Sequence, residues 1–424
     1  MKVAILGFSR EGVSALRFLK KQKLVFGRPK REVEYWILDA KTNTKIPRGV
    51  RSKTGKNYLS DLSIFDYIFR SPGVPYMKKE LVSARRKGIP FSSLTKIFFG
   101  LSPCPIIGIT GTRGKGTVAT MLYRILKAEK RDVHLLGNIG TPALNLLPRL
   151  TKNSLVIYEL SSFQLQDMTV SPHISILLHI SPDHLDAHKN FREYIAAKGQ
   201  ITAHQKKDDL VFYVEGDAAT ARLAAKGSGK KIKVSLKNFS LFKPSLLYLP
   251  APHLFENAAM AATVALHLGA KPETVRKSLG SFPGNEFRLQ PLGQKKGVRY
   301  FNDSSANNPL GTTAALQSFH DPIVLITGGK DKGINYKPLA QAINRADIRA
   351  VILIGEVKKK LKRWITKPYV VNARSLEEAV SLAQKKAQKN DVILFSPGTS
   401  SFDMFKDYED RGRQFTKIVR SLPS

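Results

Sequence analysis

The sequence has almost no cysteine and no long apolar run. Its 424 residues include one cysteine, Cys104, which excludes a disulfide framework and a cysteine-rich zinc site. No apolar stretch reaches the roughly 18 residues that a membrane-spanning helix needs. The N-terminal segment MKVAILGF leads directly into a turn and has neither the length nor the cleavage pattern of a signal peptide. These absences predict a cytoplasmic protein that does not bind a membrane.

Acidic residues are also scarce. The chain has 33 Asp and Glu against 69 Lys and Arg, a formal net charge of +36, and such a charge can indicate nucleic-acid binding. The basic residues are spread along the whole chain, however, and the densest runs, at 20–31 and 358–363, are not interleaved with the stacking aromatics that single-strand binders use. We therefore expect no specific nucleic-acid partner, and an anionic substrate would account for part of the excess charge.

Short apolar runs alternate with helix-like periodicity almost throughout, which is typical of α/β domains with parallel sheets. This pattern is interrupted by prolines at 103 and 105 and by the turn at 282–284, which indicate domain boundaries. The sequence therefore predicts an α/β protein of three domains, each with a largely parallel sheet: a Rossmann-like domain at 1–103, a central P-loop ATPase-like domain at 104–284 and a Rossmann-like domain at 285–424. A strand is expected at 174–180 and a helix at about 255–268.

A glycine-rich segment, GITGTRGKGT at 108–117, follows an apolar strand and precedes a helical run. Glycines allow backbone N–H groups to converge on phosphate oxygens at a helix N-terminus, and Lys115 would reach the β- and γ-phosphates. The usual G-x-x-x-x-G-K-[ST] spacing is not met, because Ile109 and Gly116 stand at two of its positions. A turn with chance glycines is the alternative.

Two polar segments follow neighbouring apolar strands. Glu159 ends the strand at 155–158, where a carboxylate beside a phosphate loop could bind Mg²⁺; a solvated strand-end acid is the alternative. His184, within SPDHLD at 181–186, lies on the same sheet edge. A lone histidine is more often structural than a ligand.

Lys198 shares one helix face with Phe191, Tyr194 and Ile195. Burial on such a face lowers the pKa of a lysine, and the neutral amine can react with CO₂ to form a carbamate, which is an anionic oxygen ligand. The alternative is that the lysine extends out of the apolar face into solvent.

Further polar loops follow predicted strands in the N-terminal and C-terminal parts of the chain. The Gly7–Gly12 turn with Asp39 indicates a nucleotide-like ligand, although a plain turn between strand and helix is nearly as consistent with it. Loops at 302–308, 328–332 and 396–401 would form a crevice for an anionic ligand at one sheet edge.

In this order, GTRGK ending at Lys115, GNIG at 137–140, ELSSFQ at 159–164, DHLD at 183–186 and Lys198 resemble the Mur ligase family, ATP-dependent amide-forming enzymes with three α/β domains. The segment SPGTSSFDMFKDYEDRG at 396–412 and SPGV at 71–74 are similar to the branch that adds D-glutamate to UDP-N-acetylmuramoyl-L-alanine in peptidoglycan precursor synthesis. The resemblance spans nearly the whole chain. It implies ATP and Mg²⁺ as cofactors, these two substrates as partners, and we expect a monomer.

The resemblance also implies roles for individual residues. The UDP moiety would be bound by Gly7, Gly12, Asp39, Ser71, Pro72 and Gly73, the muramoyl portion by Asn138, Ser161 and Gln164, and the incoming amino acid by Lys332, Ser401, Phe402 and Tyr408. ATP would be bound by Gly111, Thr112, Arg113, Gly114, Lys115, Gly116, Thr117, Asn257, Arg288 and Asp303. Mg²⁺ would be bound by Thr117, Glu159, His184 and carbamylated Lys198, and the catalytic residues would be Lys115, His184 and Lys198. The implied reaction passes through an acyl phosphate, with hinged closure of the third domain.

Several positions depart from the family pattern. They are Lys96, Gly116, Leu254, Phe287, Gln290, Ser305 and Asn307. Because these positions cluster around ATP and the amino-acid pocket, they leave the reaction class in place and leave the acceptor amino acid open. Two alternatives follow: a related ligase with another acceptor, similar to folylpolyglutamate synthases, or a basic nucleic-acid-associated protein that has a ligase-like fold without catalysis.

Overall fold

A computed structural model describes residues 1–22, 24–25, 27–137, 142–184, 187–236, 239–248 and 251–423. Its α-helices are α1 (Arg10–Lys21), α2 (Lys79–Arg86), α3 (Leu94–Leu101), α4 (Lys115–Ala128), α5 (Ser162–Leu165), α6 (Phe191–Lys198), α7 (Gln200–Ala203), α8 (Ala218–Ala224), α9 (Pro252–His267), α10 (Pro272–Gly280), α11 (Pro309–Leu316), α12 (Lys337–Arg345), α13 (Lys358–Lys362), α14 (Leu376–Lys386) and α15 (Tyr408–Ser421). Short 3₁₀ helices lie at Lys30–Glu32, Leu62–Ile64, Ala143–Asn145, Leu147–Arg149 and Pro244–Leu246.

The strands form three main sheets and one small hairpin. They are β1 (Lys2–Leu6), β2 (Leu24–Val25), β3 (Arg28–Pro29), β4 (Glu34–Asp39), β5 (Arg51–Thr54), β6 (Tyr67–Arg70), β7 (Phe91–Ser92), β8 (Ile106–Thr110), β9 (Val133–Leu136), β10 (Leu155–Glu159), β11 (Ile174–Leu177), β12 (Leu210–Val214), β13 (Lys230–Val234), β14 (Gln290–Lys295), β15 (Val298–Asn302), β16 (Ile323–Gly328), β17 (Ile348–Ile354), β18 (Tyr369–Asn372) and β19 (Val392–Phe395).

The first two main sheets are parallel throughout. The first has the order β5-β4-β1-β6-β7, and the second has the order β13-β12-β11-β8-β10-β9. Strand β8 is an interior strand whose five residues are all buried, as expected for a sheet covered on both faces. The loop that follows β8 therefore leaves from the middle of the carboxyl edge, where α/β proteins bind ligands.

The third sheet is mixed. Its order is β14-β15-β19-β16-β17-β18, and β14 pairs antiparallel with β15 while the other pairs are parallel. The predicted α/β class with largely parallel sheets is confirmed. The antiparallel strand β14 was not predicted, because its sequence QPLGQK has neither an apolar run nor a clean alternation.

The chain divides into two compact units. One contains Met1–Leu241 and Glu256–Ser278, and the other contains Phe242–Phe255 and Leu279–Ser424. The first and second sheets lie in the same unit, and Ala15 and Phe98 belong to the same buried cluster as Ile106 and Tyr158. Each of the three predicted domain ranges contains one main sheet, and their exact boundaries stay a prediction.

Two predicted element boundaries differ from the structure. The strand expected at 174–180 ends at Leu177, which pairs with Thr110, the last residue of the neighbouring strand β8. Beyond it, the N–H of Leu178 donates to Thr110 and that of Thr112 donates to His179. Helix α9 begins at Pro252 and ends at His267. Among the described residues, no helix is both long and apolar enough to cross a membrane.

Candidate active site

One pocket in the first unit brings together residues from several of the predicted motifs. Its walls come from Pro72, Gly73 and Pro75 after β6, from residues 161–163 at the start of α5, and from Asp183, His184 and Ala187. Lys115 of α4 and Tyr194 and Lys198 of α6 complete the lining. The segments after β6 and at the start of α5 lie just beyond the carboxyl ends of β6 and β10, so the parallel sheets bring these side chains to one place.

The glycine-rich loop meets α4 in a conformation suited to an anion. Helix α4 begins at Lys115, and its N-cap residue Gly114 has φ 84° and supplies no side-chain cap. A Cβ at Gly114 would lie 2.3 Å from Oδ1 of Asn257, so glycine is required there both by the backbone angle and by the close contact. The uncapped amide groups of a helix N-terminus attract phosphate.

Asn257 therefore packs directly against the loop, although 143 residues separate it from Gly114 in the sequence. The structure thus places this predicted ATP residue beside the predicted phosphate loop. Of the other loop residues, Arg113 is exposed, whereas Gly116 and Thr117 are buried in the first turn of α4.

Thr112 links the glycine-rich loop to the segment that follows β11. Its hydroxyl donates to the carbonyl of Ser181 at 2.9 Å and accepts from the N–H of Ser181 at the same distance. The same hydroxyl lies 3.1 Å from the phenol of Tyr194. These contacts hold the loop against the chain that carries His184.

Two lysines converge on one carbonyl. Nζ of Lys115 donates to the carbonyls of Gly111 and Thr112, each at 3.1 Å, and Nζ of Lys198 donates to the same Gly111 carbonyl at 2.8 Å. The ammonium group of Lys115 and the donor nitrogen of Lys198 thus lie side by side at this corner of the pocket, which favours a negatively charged ligand.

Lys198 is buried, with 1% of its surface exposed, and its Nζ lies 4.7 Å from the centre of the Tyr194 ring. Burial, and to a smaller extent the charge of Lys115, holds the pKa of Lys198 well below its usual value, while Asp183 and Glu159 act in the opposite direction. The lysine does not extend into solvent, so the structure excludes that alternative. A neutral amine is the form that can react with CO₂.

The predicted metal residues offer oxygen donors beside this corner. Glu159, at the carboxyl end of β10, and Thr117 are 7% and 6% exposed, and His184 lines the pocket with a backbone φ of 52°. Within the part of the chain that the structure describes, no three His, Cys, Asp or Glu side chains are grouped closely enough to hold a metal ion. A single buried carboxylate next to a phosphate site fits Mg²⁺, which is commonly held by one or two carboxylates and by substrate phosphates.

The residues predicted to hold UDP lie at the carboxyl edge of the first sheet. The hydroxyl of Ser71 donates to the carbonyl of Gly7 at 2.7 Å, and a Cβ at Gly12 would lie 2.2 Å from that same carbonyl oxygen. The two oxygens of Asp39 accept from the N–H groups of Phe8 and Lys41 at 2.6 and 2.8 Å. This turn is therefore rigid and closely packed, while Pro72 and Gly73 reach the pocket itself.

Ser161 and Gln164 form a capping box at the start of α5. The hydroxyl of Ser161 accepts from the N–H of Gln164 at 3.3 Å, and Oε1 of Gln164 accepts from the N–H of Ser161 at 3.0 Å. Ser161 lines the pocket, whereas Gln164 is 2% exposed. Asn138, the third residue predicted for the muramoyl portion, lies outside the described residues, as do Gly140 and Asp186.

The remaining predicted residues belong to the second unit. Asp303, at the carboxyl end of β15, is buried and accepts hydrogen bonds from the hydroxyl of Ser396 at 2.7 Å and the N–H of Leu289 at 3.2 Å. Burial raises the pKa of Asp303 to about 7, although these two hydrogen bonds and the charges of Arg288 and Arg411 act to lower it. Arg288 itself is exposed.

Because the pKa of Asp303 is higher in the folded chain than its value of about 3.9 in an unfolded chain, this carboxyl group should weaken the fold as pH rises. The contribution of Asp303 to the free energy of unfolding is fully present below pH 4, and it declines by up to about 4 kcal/mol as pH rises to 7. We expect Asp303→Asn to lose less stability than the wild type between pH 4.5 and 7.5 in urea titrations. Asp321→Asn, at a half-exposed aspartate of the same unit, should follow the wild type, and a wild-type slope in Asp303→Asn would contradict the assignment.

Arg411 organises the loops predicted to hold the amino acid. Its buried guanidinium donates to the hydroxyl and carbonyl of Ser304, to the carbonyl of Thr399 and to Oδ1 of Asn307. Nζ of Lys332 donates to the carbonyl of Asn307 at 2.8 Å. Asn307, one of the positions that depart from the family pattern, is thus held by two cationic side chains.

The other predicted acceptor residues differ in exposure. Ser401 is 2% exposed, whereas Phe402 is 70% exposed and Tyr408 is 37% exposed. The N–H of Ser305 donates to the carbonyl of Phe287, which links two further departing positions. A large exposed phenylalanine beside polar loops is the kind of side chain that a bound ligand would cover.

The sequence assigned no role to five residues that line the pocket: Pro75, Ser162, Phe163, Ala187 and Tyr194. Tyr194 was read only as part of an apolar helix face, and its spacing of four residues from Lys198 was the signal that both share one face. Ser162 and Phe163 follow Glu159 closely, but nothing in a single sequence separates them from core residues.

Comparisons with known proteins give consistent results. The Mur ligase middle domain matches residues 109–264, and the Mur ligase glutamate ligase domain matches residues 287–398. A protein of Clostridium tetani named UDP-N-acetylmuramoylalanine–D-glutamate ligase is 34% identical and covers 99% of this chain and 97% of its own. A protein of Acetivibrio thermocellus with the same name is 34% identical over 88% of this chain and 86% of its own.

Two solved structures share the fold at lower identity. UDP-N-acetylmuramate-alanine ligase MurC from Thermotoga maritima has a TM-score of 0.58 at 18% identity and covers 99% of both chains. MurF ligase from the same organism, in complex with ADP, has a TM-score of 0.59 at 15% identity and covers 91% of this chain and 89% of its own.

Proposed function

Since the chain belongs to the Mur ligase family, we propose that it joins D-glutamate to UDP-N-acetylmuramoyl-L-alanine with hydrolysis of ATP, in peptidoglycan precursor synthesis. The activity is the one named for its relatives of near-equal length. The structural observation that carries the proposal is the convergence of Lys115 and Lys198 on the Gly111 carbonyl in one pocket. This corner suits the phosphates of ATP and the carboxylate that they activate.

The reaction requires activation of a carboxylate, which is a poor electrophile. The terminal carboxylate of UDP-N-acetylmuramoyl-L-alanine attacks the γ-phosphorus of ATP, so a carbon–oxygen–phosphorus linkage forms and ADP leaves. The amine of D-glutamate, having lost a proton, then attacks the carbonyl carbon of this acyl phosphate. A tetrahedral intermediate forms and inorganic phosphate leaves, which completes the amide bond.

The glycine-rich loop and Lys115 would bind the phosphates of ATP through backbone N–H groups and one positive charge. Lys115 would stabilise the charge that develops on the transferred group. Asn257 would hold the loop in place, since its amide oxygen contacts Gly114. Loop residues 72–73 and Ser161 would hold the UDP-substrate so that its carboxylate faces the loop.

One Mg²⁺ would be held by Glu159 and Thr117 and a second by His184 and a carbamate on Lys198, and when bound these ions would neutralise phosphate charge. The buried oxygen donors of Glu159 and Thr117 fit such an ion. The carbamate carries the negative charge that a free lysine cannot supply.

In the second unit, Lys332, Ser401, Phe402 and Tyr408 would bind the incoming amino acid. Lys332 and the network around Arg411 would pair with its carboxylates. Arg288 and Asp303 would contact ATP. We place the enzyme in the cytoplasm as a monomer without a specific nucleic-acid partner.

The test is phosphate release from ATP with Mg²⁺ and UDP-N-acetylmuramoyl-L-alanine across a panel of D- and L-amino acids, with product mass measured in parallel. We expect turnover with D-glutamate alone. Turnover with another acceptor would leave the ligase activity in place but change the assigned acceptor amino acid. We would then attribute the changed specificity to the loop that contains Ser305 and Asn307. No turnover with any amino acid, together with salt-dependent retention on nucleic acid, would favour the non-catalytic alternative.

A further inference from the structure

Arg70 lies behind the pocket and has no role in the reaction described above. It is the last residue of β6, and none of its side chain is exposed. A fully buried arginine is rare, because taking a guanidinium out of water is costly unless it is paired and hydrogen-bonded. Its contacts should therefore show what it stabilises.

The guanidinium contacts two segments that contribute to the walls of the pocket. Nη1 donates to the carbonyl of Val74 at 2.9 Å, and Nη2 donates to the carbonyl of Phe163 at 2.7 Å. Val74 follows Pro72 and Gly73, which line one wall, and Phe163 lines another. One rigid, planar group thus sets the distance between a loop of the first sheet and the start of α5.

Buried charges around Arg70 hold it in this position. Oδ1 of Asp167 lies 3.5 Å from Nη2, and the side chain of Asp167 is 5% exposed. The guanidinium of Arg70 also lies 5.2 Å from the centre of the Tyr76 ring, and that of Arg85 lies 3.7 Å from the same ring. Asp167 therefore supplies the negative charge that a buried arginine requires, and the Tyr76 ring lies close to both guanidinium groups.

The position of Arg70 has a direct consequence for ligand binding. Val74 and Phe163 adjoin Gly73 and Ser161, which are assigned above to the UDP-substrate, whereas none of the hydrogen bonds or ion pairs of Arg70 among the described residues reaches the phosphate loop. A change at Arg70 should therefore widen or tilt the UDP-substrate side of the pocket and leave the ATP side in place.

We propose that Arg70 is a positioning residue that fixes the spacing of the UDP-substrate walls through the carbonyls of Val74 and Phe163. This inference depends on the proposed function, because it takes the ligand between those walls to be UDP-N-acetylmuramoyl-L-alanine.

The experiment compares Arg70→Lys and Arg70→Met with the wild type. Lysine keeps the charge but cannot reach two carbonyls with a planar fork. We expect Arg70→Lys to raise KM for the UDP-substrate about tenfold, the effect of one lost charge-assisted hydrogen bond. KM for ATP and kcat should stay within about twofold. Arg70→Met should raise the same KM further.

The matched control is Arg349→Lys. Arg349 forms an ion pair with the buried Asp391 at 2.6 Å in the third sheet, so this variant disturbs an arginine–aspartate pair that has no contact with the pocket walls. Its KM values should equal those of the wild type. Calorimetric titration with UDP-N-acetylmuramoyl-L-alanine in the absence of ATP gives a second readout that does not depend on turnover.

If Arg70→Met fails to fold, Asp167→Asn provides a second test of the inference. It removes the counter-charge but neither carbonyl contact, so it should lower Tm while raising the KM for the UDP-substrate less than Arg70→Lys does. An equal rise in both KM values in Arg70→Lys would indicate a general structural role and would overturn the inference.

The remaining outcomes separate the inference from the proposed function. If the wild type is active but Arg70→Lys leaves the KM and the affinity for the UDP-substrate unchanged, only the inference about Arg70 is overturned. A wild type that neither binds nor turns over UDP-N-acetylmuramoyl-L-alanine overturns the proposed function, and with it the ligand assigned to these walls.

Discussion

Replacing Lys198 with alanine should lower ligase turnover by about 10³-fold, and arginine at this position should not restore it. The reason is chemical rather than only electrostatic. Lys198 is buried, its Nζ donates to the carbonyl of Gly111, and its pKa is held well below the usual range by burial. A neutral primary amine can form a carbamate with loss of one proton, whereas an arginine stays charged and cannot.

Turnover of Lys198→Ala and Lys198→Arg should be measured by phosphate release, with Lys207→Ala, at an exposed lysine of the same unit, as the matched control. The carbamate itself is tested by ¹³C NMR after exchange with labelled bicarbonate: a carbamate signal should be present in the wild type and the control and absent in Lys198→Ala. Full activity in Lys198→Arg would refute the carbamate role.

Replacing Lys115 with methionine should reduce kcat/KM for ATP by about 10²- to 10³-fold. Methionine has a similar length but no charge, so the variant removes the ammonium group at the phosphate loop while preserving the packing of α4. The same substitution removes a positive charge that lowers the pKa of Lys198. The affinity for ATP should therefore fall, and the pKa of Lys198 should rise.

Lys127→Met, at an exposed position on the same helix, serves as the control for Lys115→Met. Binding of a fluorescent ATP analogue separates loss of affinity from loss of chemistry. Unchanged affinity together with unchanged turnover would show that Lys115 does not contact the phosphates.

The part of the site that follows β8 could be predicted from the sequence, because three signals coincide there. An apolar run predicts an interior strand, glycines predict a tight loop, and an amphipathic run beginning at Lys115 predicts a helix whose N-terminus points at the ligand. Lys198 could be predicted in the same way from its four-residue spacing to Tyr194. These features are local in sequence, and their periodicity determines which side chains share a face.

Contacts between distant segments could not be predicted in that way. Arg70 ends the apolar strand YIFR, and the sequence gives no sign that its guanidinium reaches Phe163, 93 residues later. The packing of Asn257 on Gly114 likewise depends on the tertiary arrangement; only the family resemblance pointed to Asn257. The antiparallel strand β14 pairs with β15 despite weak strand propensity, since sheet pairing can override local preference.

The order of segments in the chain has a consequence for synthesis. The first unit takes Met1–Leu241 and then Glu256–Ser278, with Phe242–Phe255 belonging to the other unit. A nascent chain that has emerged only to Leu241 therefore contains the glycine-rich loop and both parallel sheets but lacks Asn257 against Gly114. At about 5–20 residues per second, a few seconds of translation separate these two stages. The phosphate loop thus gains its contact with Asn257 only after Phe242–Phe255 of the second unit have been synthesised.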